Sequence, residues 1–128
     1  MNFSSIMQSL ADKVEGSFSE YDENIAVLIV PVDEHRFQTV YCYNEGPKGI
    51  RFISKVCEAE ENIPFKEMVE VSSELLYASF YIENNFLYVR ATTFMPGSDS
   101  EPGLKDLLVE VSQIADKWEN KLTGADVH

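Results

Sequence analysis

Cysteine and histidine are scarce in this chain, with two of each among 128 residues. Cys42, Cys57, His35 and His128 include no C-x-x-C pair. A zinc site needs about four nitrogen or sulfur ligands at set spacing, so no metal and no cofactor are expected. Both cysteines fall in predicted strands, where a reduced thiol serves as a small apolar side chain. Basic residues are few as well: 10 Lys and Arg stand against 22 Asp and Glu, a net charge of −12. Nucleic acids and anionic membranes are captured by positive charge, so neither is an expected partner. The longest apolar run, residues 25–30, is far short of the roughly 20 residues that span a bilayer. The first residues, MNFSSIMQSLADKVEG, show no early basic residue and no long apolar core, so no signal peptide is expected and a cytoplasmic location is.

Catalytic signatures are missing too. No G-x-S-x-G, H-E-x-x-H, P-loop or G-x-G-x-x-G occurs. His35 lies in the turn over residues 33–36 and has no nucleophile beside it in the sequence. The pairs Asp33/Glu34 and Glu60/Glu61 read as solvated acids in an acid-rich chain. A general acid or base needs a shifted pKa in a pocket, which a sequence does not display. The expectation is a protein that is not an enzyme.

What is present is the balance of a globular domain, 45% hydrophobic and 25% charged. The length suits one domain, placed at 1–122, with a flexible tail at 123–128. Phe3, Ile6, Leu10, Ala11 and Val14 keep helical spacing, with Asn2, Ser4 or Ser5 as a cap and Gly16 as the stop. SFSEYDEN reads as a polar connector. Residues 25–32 form an unbroken apolar run, which suggests a strand covered on both sides or an edge folded over. Residues 37–44 and 50–57 alternate around the turn EGPKG and form a hairpin. A short helix follows Pro64, carrying Phe65, Met68, Val69 and Ser72 on one stripe. Residues 77–83 and 86–95 are strands joined by Asn84-Asn85, residues that tolerate positive φ. Ser98 and Glu101 resemble a capping box before a long helix. That helix carries Leu104, Leu107, Leu108, Val111, Ile114, Ala115, Trp118 and Leu122, with Lys105, Asp106, Glu110, Asp116, Glu119 and Lys121 opposite. The predicted architecture is α+β, α-β-β-β-α-β-β-α, an antiparallel sheet with two long helices on one face.

Register then sorts the faces. A two-residue turn at Asn84-Asn85 sets Ile82 opposite Leu87, Phe80 opposite Val89 and Ala78 opposite Ala91, an apolar core face. It sets Tyr81 opposite Tyr88, Ser79 opposite Arg90 and Tyr77 opposite Thr92. In the first hairpin, Phe37, Thr39, Tyr41, Ile50, Phe52, Ser54 and Val56 make the more apolar face. Gln38, Val40, Cys42, Arg51, Ile53, Lys55 and Cys57 make the other. The outer face should therefore display Arg51, Lys55, Tyr77, Tyr81, Tyr88 and Arg90, with Val40 and Ile53. An aromatic, locally basic face on an acidic protein has the composition of a recognition surface. Tyrosine is also a good strand former, so a solvated face is the competing reading, and self-association a third. The stripe Phe65, Met68, Val69 and Ser72 is either core or a dimer interface.

The element order, small size and low pI resemble the type III secretion chaperone-like fold. Within it, the stretch LLYASFYIENNFLYVRATTFMPGSDSEPGLKDLLVEVSQIADKWENKL, residues 75–122, is similar to the bacterial YbjN family. A strand, a polar tight turn, a second strand, a loop and a long helix with Ala115-Asp116 and Trp118 near its end carry that likeness. The resemblance implies a non-enzymatic, homodimeric protein that binds a protein client, with the second helix near a two-fold axis. YbjN-type proteins are described as putative sensory transduction regulators. The expected function is thus a protein-binding module. The alternatives are an inhibitor or immunity-type protein that captures a basic partner, and a small-molecule sensor domain.

Overall fold

The computed structural model describes residues 2–59, 63–94 and 101–123. Among these, three α-helices frame one six-stranded sheet. Helix α1 (Phe3–Lys13) is followed by β1 (Ser17–Asp22), β2 (Ile25–Pro31), β3 (Phe37–Asn44) and β4 (Ile50–Glu58). Then come α2 (Phe65–Ser72), β5 (Ser79–Glu83), β6 (Phe86–Thr93) and α3 (Glu101–Thr123). The strands lie in the order β1-β2-β3-β4-β6-β5, every neighbouring pair antiparallel. This is the α+β class expected, with one strand more.

Helices α1 and α3 cover the same sheet face. The first packs on β1 and β2; the second crosses β3, β4 and β6. Asn2 caps α1, its side chain accepting the Ser5 N–H at 2.8 Å. Phe3, Ile6, Met7, Leu10 and Ala11 are its buried stripe. Leu104, Leu107, Leu108, Val111, Ala115 and Trp118 are that of α3. They close on Ala26, Leu28, Val30, Val40, Phe52, Val89 and Ala91 of the sheet. Trp118 meets Phe80 edge-on, ring centroids 5.8 Å apart.

Three expectations are corrected here. SFSEYDEN is not a connector: residues 17–22 pair with β2 as an edge strand, and burial on one side is too slight to leave an alternating pattern. Ile82 pairs with Leu87 as expected, but it is 48% exposed because β5 ends the sheet and α2 leaves an open groove over it. Asp116 and Glu119, expected opposite the apolar stripe of α3, are buried. Asp116 accepts Nε of Arg36 with its two oxygens at 3.0 and 3.2 Å, which ties α3 to the β2–β3 turn. Ser98 and residues 60–62 and 124–128, where a cap, an acidic loop and most of the tail were placed, lie outside the described residues.

Candidate functional site

The unbroken run of β2 has a specific consequence. Ala26, Leu28 and Val30 are fully buried beneath the helices, while Ile25, Val27 and Ile29 sit on the opposite face. Such runs normally occur in strands covered on both sides. Here, among the described residues, only one side is covered, and β2 is second in the sheet rather than a folded edge.

Register extends that face across the sheet. One row reads Ile25, Tyr43, Arg51, Thr92. The next reads Val27, Tyr41, Ile53, Arg90, Ser79. A third joins Lys55, Tyr88 and Tyr81, and a fourth joins Glu58, Phe86 and Glu83. Aliphatic side chains therefore occupy the β2 side, tyrosines and cations the middle, and acids one end.

Arg51, Lys55, Tyr81, Tyr88 and Arg90 thus stand together on the uncovered face, as the sequence placed them. Other residues assigned to that face do not. Val40 is fully buried, because β3 presents its other side: Gln38, Val40 and Cys42 face the helices, while Phe37, Thr39 and Tyr41 face out. Gln38 is accommodated inside by donating from Nε2 to Ser54 Oγ at 2.9 Å and to the Lys55 carbonyl at 3.1 Å. Tyr77 precedes β5 and lies outside the sheet. Cys57, assigned to the outer face, is buried, since a bulge between Lys55 and Cys57 breaks the alternation. Sequence reasoning missed Tyr41, Tyr43 and Phe86. The signal available was parity: Tyr41 and Tyr43 share one side of β3, and matching them to the tyrosines of β5 and β6 gives the observed face.

Aromatic rings organise the cations. Tyr81 and Tyr88 are stacked, centroids 5.1 Å apart and planes 16° from parallel. The Arg90 guanidinium lies 4.7 Å from the Tyr81 ring centroid, and Lys55 Nζ lies 3.7 Å from that of Phe86. Such contacts are worth about 0.5–1 kcal/mol at exposed sites. Arg51 covers Tyr43 at 5.4 Å and is ion-paired to Glu45. Among the described residues, Lys55 and Arg90 have no carboxylate partner. Burial pushes the Tyr81 phenol up to about 12 and raises Tyr43 as well. Both hydroxyls therefore remain donors at neutral pH. A basin of about 390 Å³ is lined by Tyr41, Tyr43, Arg51, Ile53, Lys55, Tyr81, Glu83 and Tyr88, and Arg90 adjoins it through the Tyr81 ring.

A second concavity, of about 350 Å³, lies between α2 and β5. Phe65, Met68, Val69 and Ser72 line one wall, and Ser79, Phe80, Tyr81, Ile82 and Leu87 the other. No charged side chain is among them. The four sequence candidates on α2 therefore line one groove but divide in burial. Met68 is buried, whereas Phe65 and Val69 are 50% and 71% exposed. Helix α2 is held to α3 by the ion pair of Lys121 with Glu67. Tyr81 belongs to both concavities.

Groups with catalytic potential lie elsewhere. Cys42 is enclosed, and burial pushes its thiol up, away from the reactive thiolate. His35 is exposed in the β2–β3 turn, where Asp33 Oδ1 accepts its backbone N–H at 2.8 Å. Among the described residues no cluster of three His, Cys, Asp or Glu side chains could hold a metal ion. No helix among them is long and apolar enough to cross a membrane. No protein-family model, curated protein or solved structure matches the chain.

Proposed function

We propose that this chain is a non-enzymatic protein-binding module that acts as a homodimer. The reading includes the likeness to type III secretion chaperone-like and YbjN proteins and a cytoplasmic setting. The observation that carries it is the uncovered sheet face, where Ile25, Val27 and Ile29 join tyrosines and arginines. Tyr and Arg are the residues that most often dominate binding energy at interfaces. The dimer is assigned to the groove between α2 and β5. Its lining is uncharged, whereas stacking two sheet faces would bring Lys55 and Arg90 of both copies together. Like charges at close range oppose association.

Light scattering at several protein concentrations and two salt concentrations tests the dimer. A stable dimer that Val69→Asp converts to monomer is the expected result. A wild-type protein that stays monomeric at all concentrations overturns the homodimer. An inhibitor of a basic partner is the second reading, favoured by the net charge of −12. Tight one-to-one capture of a basic protein by the acidic surface, unaffected by Tyr81→Ala and Arg90→Ala, would select it.

A further inference from the structure

We propose that the uncovered sheet face, from the basin to the adjoining Arg90, binds a short, extended, carboxylate-rich segment of a partner protein, with Lys55 in the basin and Arg90 beside it taking the carboxylates and the tyrosines taking the side chains between them. The proposal deepens the protein-binding reading and rests on it.

Charge is the first argument. The chain carries −12, yet the middle of this face holds three of its ten cations. Glu45 pairs with Arg51, and Glu83 is the single carboxylate in the basin lining, whereas Lys55 and Arg90 form no ion pair among the described residues. Both are laid on aromatic rings, so their heads are positioned before a ligand arrives. Positioning of that kind removes part of the ordering cost of binding.

The ring arrangement is the second argument. The Tyr81–Tyr88 stack lies between the two cations, with Ile53 directly beside Arg90 on the neighbouring strand. An acidic segment with interspersed apolar residues would alternate between these two kinds of contact. The neutral Tyr81 hydroxyl adds a donor for a carboxylate.

Other anions fit less well. Phosphate sites recruit clustered backbone N–H groups or a helix N-terminus. Here the backbone of β3, β4 and β6 is spent on ladder pairing, because each has a neighbour on both sides, and the basin has no helix N-terminus in its lining. A nucleic acid carries charge along its whole length, so the acids surrounding this small cationic island would repel its flanks. A short acidic segment carries its charge only where the cations are.

The test is an NMR titration of the full chain with a capped hexapeptide of alternating Glu and Phe. Its Gln–Phe counterpart, its Lys–Phe counterpart and an oligothymidylate are run in parallel. The Glu peptide should shift the amides of Ile53, Lys55, Tyr81, Tyr88 and Arg90 and bind at least roughly tenfold tighter than the Gln peptide, as for one charge-assisted contact. Lys55→Glu and Arg90→Glu should each remove about that factor, with thermal unfolding confirming an intact fold. Equal binding of the Glu and Gln peptides overturns the proposal. So does tighter binding of the oligothymidylate, or shifts confined to Phe65 and Val69. Concentration-dependent broadening of the basin resonances that Arg90→Glu abolishes would make a second copy the occupant and also overturn it. Light scattering on the same samples separates the two levels. A dimer that binds no acidic peptide defeats this proposal alone, while a monomer without peptide binding defeats the module reading as well.

Discussion

The Glu110 carboxylate on α3 accepts the backbone N–H of Tyr77 at 2.7 Å. The same carboxylate accepts the N–H groups of Ala78 at 2.7 Å and Leu76 at 3.1 Å. One side chain thus satisfies three consecutive donors in the link between α2 and β5. Charge-assisted hydrogen bonds of this kind are among the stronger ones.

Glu110→Ala should therefore destabilise the fold by about 2 kcal/mol, the scale of donors left without an acceptor in a partly exposed site. Glu110→Gln should recover part of that loss, because one amide oxygen can still accept. Urea unfolding followed by fluorescence of Trp118, the only tryptophan, reads both. The amides of Leu76, Tyr77 and Ala78 should lose hydrogen-exchange protection before the core does.

Arg36 and Asp116 form an unequal pair. The Asp116 side chain is 5% exposed and that of Arg36 38%. Arg36→Ala strands a buried carboxylate and should cost about 2–3 kcal/mol, at or just below the roughly 3–5 kcal/mol for broken buried pairs, since water reaches the arginine side. Asp116→Asn should cost less, because no charge is left buried. The order of the two midpoints in chemical denaturation checks this.

Stability should fall at alkaline pH for an identifiable reason. Burial raises the thiol of Cys42 above its ordinary value of 9.0, and the phenol of Tyr81 to about 12 from 10.0. The native state keeps both protons where the unfolded state releases them. The unfolded state then binds fewer protons, so unfolding free energy declines as pH rises past about 9 and again past about 10. Cys42→Ala should flatten the first part of the decline and Tyr81→Phe the second. Native Cys42 should also resist alkylation until the chain unfolds.

Gly49 is required by its backbone. Its φ is +100°, and a Cβ there would collide with the Thr93 carbonyl oxygen. Gly49→Ala should lower stability by about 2–3 kcal/mol, combining strain with displacement of a neighbouring strand end. Gly46, also at positive φ but with open space around it, should tolerate alanine at about 1 kcal/mol. Thermal unfolding of the two variants side by side gives the contrast.

Much of the architecture was legible because some signals are local. The stripe from Leu104 to Trp118 defines a helix face whatever it packs on. Asn84 and Asn85, at φ of 51° and 67°, set a two-residue turn, and that turn alone aligns Tyr81 with Tyr88 and Phe80 with Val89. The groups missed depend on neighbours far away in the chain. Residues 17–22 carry a single aromatic on each side among polar residues, too little for an alternating signal, and pair along the free edge that β2 offers. The two sides of β3 differ little in polarity, so the helices above the sheet, together with the buried Gln38–Ser54 hydrogen bond, select which one is inner.

The sequence by itself determined the α+β class, the helical stripes, the β5–β6 register and the placing of Arg51, Lys55, Tyr81, Tyr88 and Arg90 on one face. Periodicity and turn chemistry act over a few residues and need no partner. Tertiary structure alone decided that among the described residues β2 is covered on one side only, that Tyr41 and Tyr43 join the outer face, that Asp116 and Glu119 are buried on α3, and that Glu110 reaches the link before β5. Burial is a property of what lies opposite, and what lies opposite each of these residues comes from a distant part of the chain.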